Sequence, residues 1–263
     1  MKKNSKLSGL YLGILFFLMY LPIGVVVVFS FNEARLPVRF TGFSMKWYQE
    51  LFQDRDMIQA LKNSLILAVS SCAVSAVIGT LGAVGISRIH WKTKGALEYI
   101  SILPLMIPEI ILGMVLMAFF YMLHLPFGML TLLIGHTVFC VPYILMEVKA
   151  RLVGMDPSLE EAARDLGAGR WQAFWSVTFK LTLPGLLSGV ILTFIPSMGL
   201  FFIADILGGN KIVLVGSLIQ EQMTRGNNWP FAAALAVVLM VLTTLMIVVY
   251  RKITNVKELE GIG

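Results

Sequence analysis

Residues 64–87 read SLILAVSSCAVSAVIGTLGAVGIS, a stretch without a single charge. A helix needs about 20 apolar residues to cross the hydrocarbon core of a bilayer, and an ionised group inside that core is costly. Ser64–Ser87 therefore predicts a membrane span. Working outward in windows of about 19 residues finds five more, near Leu7–Phe31, Leu97–Leu123, Met129–Val148, Leu183–Leu207 and Pro230–Tyr250. The composition agrees: the 263 residues are 57% hydrophobic and 14% charged, whereas soluble domains carry about 25% charged residues. So few charges cannot cover a soluble globule of this size. A disordered chain, a secreted disulfide scaffold and most soluble enzyme folds are excluded. The expected fold class is all-α, a polytopic membrane protein with six transmembrane helices.

The first window is longer than the roughly 7–15 apolar residues of a signal peptide, and no small-x-small cleavage site closes it. It reads as a retained anchor. An even number of spans puts both termini on one side. Lys and Arg gather in the N-terminal tail, Arg88–Lys94, Lys149–Lys180 and the C-terminal tail, fourteen of the 21, against seven in the other loops. That bias is the positive-inside pattern, so both termini are expected in the cytoplasm of a multi-pass cell-membrane protein. The net charge of +6 lies between apolar windows and forms no amphipathic basic surface. It implies the lipid bilayer as partner and no nucleic acid. Cys72 and Cys140 each sit inside an apolar run and read as small packing residues. The first outer loop holds Trp47, Tyr48, Leu51 and Phe52, whose spacing predicts a short helix with an aromatic face at the membrane interface. Gly208-Gly209-Asn210 is a turn signal.

The cytoplasmic loop Lys149–Thr182 carries the most information. Asp156-Pro157-Ser158-Leu159-Glu160-Glu161 reads as a helix start, with a capping Asp, proline in the first turn, and acids near the positive end of the dipole. Ser158 with Glu161 offers an alternative capping box. Small residues Ala162 and Ala163 follow, and Gly167 supplies a left-handed stop. A second helix over Arg170–Leu181 carries Trp171, Phe174, Trp175 and Phe179 as an aromatic stripe, with Pro184 at the entry to the next span. By physics alone, this helix–turn–helix is either a loop resting on the bilayer or a plug for a soluble partner.

Glu161-Ala162-Ala163-x-x-x-Gly167 resembles the EAA signature of bacterial ABC importer permeases, the MetI-like inner-membrane components of binding-protein-dependent transport. The likeness extends over nearly the whole chain and is similar to the spermidine/putrescine permeases. Phe31-Asn32-x-x-Arg35 and Phe40-Thr41-Gly42-Phe43-Ser44-x-Lys46-Trp47-Tyr48 look like one sister subunit of that group. Pro196-Ser197-Met198-Gly199-Leu200-Phe201, Asp205-Ile206-Leu207-Gly208-Gly209 and Trp229-Pro230-Phe231 look more like the other. The resemblance implies a single MetI-like permease domain over 1–263, with an anchor over about 7–31, a core over about 60–250 and a coupling loop over about 149–182. It implies that Glu161, Ala162, Ala163 and Gly167 enter a groove of a cytoplasmic ABC ATPase, with Trp171 as a packing anchor. A second permease subunit, an extracytoplasmic substrate-binding protein and a polyamine substrate are the other implied partners. The family commonly places Leu-Pro where this chain has Phe179-Lys180, and Ser or Asn where it has Gly169.

No G-x-x-x-x-G-K-[ST] loop, H-E-x-x-H or G-x-S-x-G occurs, so the chain is expected to be no enzyme, with nucleotide hydrolysis on a separate polypeptide. His90, His124 and His136 are scattered, and neither a metal nor any other cofactor is implied. Glu109 stands about 18 Å along the third window by helical rise, behind Pro104 and Pro108, which free backbone carbonyls. A carboxylate beside free carbonyls suits a cationic substrate in the translocation path. Its alternative is a packing kink with Glu109 bonded to a neighbouring helix. Asp205 ends the fifth window and reads either as a path residue or as a plain helix-end residue. Glu147 reads as interfacial, and Gly79, Gly82 and Gly85 as a stripe for close helix packing. A rival reading, an ion-coupled secondary transporter using Glu109, requires paired broken helices in two related halves. An ABC permease for another small solute is the nearer alternative.

Overall fold

The computed structural model describes residues 5–35, 39–89, 93–156, 158–209 and 212–253. Pro157, His90, Lys92, Asn210, Lys211 and the tail cations Lys2, Lys3 and Lys257, all used in the reading above, lie outside them. The helices are α1 Ser5–Phe29, α2 Lys46–Gln53, α3 Arg55–Ser87, α4 Lys94–Met106, α5 Glu109–Met122, α6 Met129–Val153 and α7 Ser158–Asp165. They continue with α8 Arg170–Ala173, α9 Phe179–Gly199, α10 Phe202–Leu207, α11 Val215–Thr224 and α12 Trp229–Ile253. A π-helical turn, Phe174–Thr178, joins α8 to α9. The one β feature among the described residues is an antiparallel bridge between Asn32 and Phe43.

Five stretches are long and apolar enough to cross a membrane: Ser8–Phe29, Arg55–Ser87, Met129–Val153, Arg170–Gly199 and Trp229–Tyr250. The sixth exists only as the pair α4 and α5, bent by 106°. The expected all-α, multi-span class holds, but two windows are corrected. Leu97–Leu123 is not one rod. Pro108 disfavours helical geometry in the residue before it, and Ile107 and Pro108 are both extended (ψ 127° and 136°). Pro104, by contrast, stays inside α4. The fifth window ends at Gly199, where Leu200 turns extended (ψ 117°). Asp205 therefore belongs to the separate short helix α10 and not to the span.

The chain divides into two compact units, Met1–Gln59 with Leu218–Leu245 and Ala60–Ser217 with Met246–Gly263. In the first, the expected interfacial face of α2 turns inward: Trp47 and Leu51 are 1% and 0% exposed. A buried indole needs an acceptor, and Trp47 Nε1 donates to the Asn32 carbonyl at 2.7 Å while its ring meets the Phe231 edge at 6.2 Å. Asn32 Oδ1 in turn accepts from the Thr41 amide and hydroxyl at 2.8 and 3.0 Å. Only Phe52 of that face remains outward. None of Ser8–Phe29 is buried, so α1 presents apolar side chains all round, a surface suited to hydrocarbon.

In the second unit α6 is clasped between α3 and α9. A Cβ on Gly79 would fall 2.9 Å from Ile144 Cγ2, and one on Gly189 would fall 2.9 Å from Ile144 Cα. Gly82 faces Leu145 of the same helix, but Gly85 has nothing within 4 Å, so the expected stripe packs through two of its three members. Cys72 and Cys140 are both buried, and Cys72 Sγ lies 3.4 Å from Thr193 Oγ1. A cluster of Leu67, Leu112, Leu132, Ile203 and Leu207 with their neighbours seats α10 against α5 and α6.

Candidate functional site

The loop between α6 and α9 is built largely by local chemistry. Asp156 Oδ1 accepts the Ser158 amide at 3.0 Å, and this bond holds the Asp156 carboxyl below the usual carboxylate range. At the far end of α7, the Gly167 amide donates to Arg164 O at 2.9 Å and the Ala168 amide to Ala163 O at 3.1 Å. Those two bonds form a Schellman stop, whose pivot needs a positive φ. Gly167 adopts +93°. Gly169 then opens α8 in extended geometry (ψ 163°) without a side-chain cap.

The aromatic stripe divides. Phe174 is buried with Ala173, while Trp171 is 77% exposed and Trp175 outward-facing. Trp171 meets Phe174 edge-on at 6.4 Å, and Trp175 meets Phe179 at 4.8 Å. The rod from Arg170 to Gly199 is unbroken. With Lys180 in place of a proline, the backbone ladder continues, and it absorbs one extra residue as the π turn, in which the Phe179 amide donates to Phe174 O.

Sequence reasoning treated Glu160 only as a favourable charge at the start of α7. In the structure its carboxylate accepts from Arg88 Nη2 at 2.9 and 2.8 Å, through both oxygens, and from the Thr178 hydroxyl at 2.7 Å. Arg88 directly follows α3, and Thr178 closes the π turn. The only advance sign of this was a carboxylate beside the motif and an arginine at a span end. Around the joint, Ser87, Arg88, Leu152, Met155, Glu160, Glu161, Arg164 and Thr178 line a cavity of about 380 Å³. A second hollow of about 590 Å³ is lined by Glu161, Arg164, Asp165, Ala168, Gly169 and Arg170. Glu161 borders both. Ala162 is exposed, Ala163 half-buried and Leu166 91% exposed. The outer face thus combines small residues, an exposed leucine, an exposed tryptophan and charges of both signs.

Glu109 and Asp205 lie apart from this loop. Glu109 opens α5, and its Oε1 accepts the Ile203 amide at a long 3.3 Å. This bond links the carboxylate at the start of α5 to the backbone of α10. Gly113 of α5 lies against Ile206 and Ile203 of α10. Asp205 sits on the exposed side of α10. The fold therefore sets both carboxylates on adjoining helices. Glu147 is half-buried near the end of α6, its carbonyl 2.6 Å from where a Cβ on Gly185 would fall. Among the described residues, no group of three His, Cys, Asp or Glu side chains is placed to hold a metal ion.

Residues 75–255 match the family model described as binding-protein-dependent transport system inner membrane component. The chain belongs to this family. It is the permease subunit of an ABC importer, a non-catalytic, multi-pass protein of the bacterial inner membrane. The permease is 30% identical over 257 residues to the spermidine/putrescine transport system permease protein PotC of Escherichia coli K12, covering 98% of this chain and 97% of that one. It is 32% identical to the putrescine transport system permease protein PotI of the same organism, over 88% and 84% of the two chains. Against PotB of Haemophilus influenzae identity is 31% over 98% and 99%. In fold, it superposes on a chain of a bacterial alginate ABC transporter, solved in complex with an alginate pentasaccharide-bound periplasmic protein, with a TM-score of 0.76 at 19% identity over 96% and 95%. A chain of the inward-facing MetNI methionine ABC transporter gives 0.62 at 21% identity over 77% and 98%.

Proposed function

We propose that this permease carries polyamines of the spermidine/putrescine class inward, driven by separate ABC ATPase subunits that grip the α7–α8 loop. The observation that carries the reading is the outer face of that loop. A helix ended by the Gly167 stop presents Glu161, Ala162 and Ala163, and beside it stand Leu166 and Trp171, each with most of its surface exposed. Small residues admit a close partner surface, and an exposed tryptophan is the residue type most enriched at binding hot spots. In this reading both termini and the loop are cytoplasmic, the whole of 1–263 works as one permease domain, and a second permease subunit completes the path. A binding protein outside delivers the substrate. The similarity to PotC, PotI and PotB supports a polyamine cargo. Glu109 and Asp205 supply carboxylates to the path, Glu109 while also holding α10.

The test of docking is capture. Glu161→Lys places a like charge toward Arg164 and Arg170 across the 590 Å³ hollow, and Gly167→Pro replaces a backbone proline cannot form. Both variants should insert at wild-type levels and lose copurifying ATPase roughly tenfold or more, the loss expected of a hot spot. Wild-type capture in both would overturn the docking assignment. For the path, Glu109→Gln keeps an acceptor for Ile203 but removes the charge. Uptake of labelled spermidine should fall while assembly stays intact, and unchanged uptake kinetics would leave Glu109 with its anchoring role alone.

A further inference from the structure

Loop and spans must be joined by something stiffer than chain connectivity if motion gripped at α7 is to reach the membrane. At its C-terminal end α7 leaves through a short segment, Leu166–Gly169. It holds two glycines, one at positive φ. Glycine leaves a backbone more conformational freedom than any other residue. Against this background stands one carboxylate. Glu160, on the inner side of α7, takes both oxygens to Arg88 at the end of α3 and one to Thr178 in the π turn that leads into α9. The Thr178 side chain is 1% exposed and the Glu160 carboxylate only 21% exposed, so the Thr178 bond is shielded from competing water. The partners are 72 and 18 residues from Glu160 in the chain. Neither is a neighbour that local helix structure would supply.

We infer that Glu160 is the positioning residue that transmits coupling, the Arg88–Glu160–Thr178 joint carrying displacement of α7 into α3 and α9 together. The inference rests on the docking reading above. Glu161 and Trp171 face the partner, and Glu160 faces the spans. The π turn serves the joint. A π turn widens the helix by one residue, and such turns are frequent at functional sites. Here it lets the rod run on without a proline break while Thr178 stays against α7. Two spans tied to one carboxylate move as a body, whereas either tie alone would leave the other free to lag.

The test uses the whole transporter, purified by a tag on this chain from membranes of its native host, with hydrogen exchange read with and without ATP plus vanadate. In the wild type, nucleotide trapping should change exchange in α3 and α9. Glu160→Gln keeps the shape and a weaker bond to Thr178 but loses the charge. It should retain copurifying ATPase and ATP hydrolysis within about twofold, while the trapping-induced change in α3 and α9 falls roughly tenfold, within the range reported for coupling residues. The exchanged pair Arg88→Glu with Glu160→Arg should recover half or more of that change, and Thr178→Val should diminish it in α9 more than in α3. A variant that simply misfolds is recognised by loss of the ATPase, and the exchanged pair then decides: no recovery overturns the joint. A full trapping response in Glu160→Gln also overturns it and leaves the docking reading intact. A wild-type chain that captures no ATPase overturns both.

Discussion

Ile144 shows how little freedom the interior of this permease has. Its side chain and its Cα occupy the space that Cβ atoms on Gly79 and Gly189 would need, one from α3 and one from α9. Lipid offers no hydrophobic drive for helices to associate, so close van der Waals approach across small residues holds them together. Gly189→Leu should therefore cost about 1–3 kcal/mol through overpacking, seen as a lower midpoint of thermal unfolding in detergent. Gly85, open on the same expected stripe, should behave oppositely. Gly85→Ala should raise the midpoint, since alanine is better than glycine in a helix interior by about 0.5–1 kcal/mol. The stripe was legible as a row of glycines, but which members touch a neighbour was not, because that depends on the rotation of α3 against α6.

Among the elements, the helices of the loop were legible at their ends and opaque along their backs. Asp156, Gly167 and Gly169 act through bonds made within a few residues, and local chemistry of that kind can be read directly. The same logic predicts a stabilising change. Gly169 starts α8 with no side-chain cap and nothing within 4 Å of its Cβ position. Gly169→Asn should add a few tenths of a kcal/mol, the usual difference between glycine and asparagine at an N-cap, and slow hydrogen exchange in α8. The break between α4 and α5 was half legible. Two prolines marked the region, yet only Pro108 parts the helix, and α4 accommodates Pro104. The inward turn of Trp47 was invisible beforehand, because an amphipathic pattern says that a face is apolar without saying whether lipid or protein covers it.

For the molecule as a whole, the docking proposal makes transport depend on a separate nucleotide-hydrolysing polypeptide. Proteoliposomes containing this chain alone, with a proton or sodium gradient, should accumulate no labelled spermidine above protein-free vesicles. Adding its ATPase, partner permease and binding protein with ATP should start uptake. Gradient-driven uptake by the chain alone would instead favour the secondary-transporter reading. That reading requires two matched broken spans, and the described residues contain one bent pair, α4 with α5.

The apolar windows, the all-helical class and the family motif were decided by the order of residues alone. Hydropathy over a helix length and bonds between near neighbours do not wait for the rest of the chain to fold. The tertiary structure alone decided that Glu160 meets Arg88, that Ile144 is held by glycines from two other helices, and that Glu109 reaches the amide of Ile203. These contacts join residues far apart along the chain. They depend on helix rotation and depth in the bundle, and a hydropathy pattern leaves both undetermined.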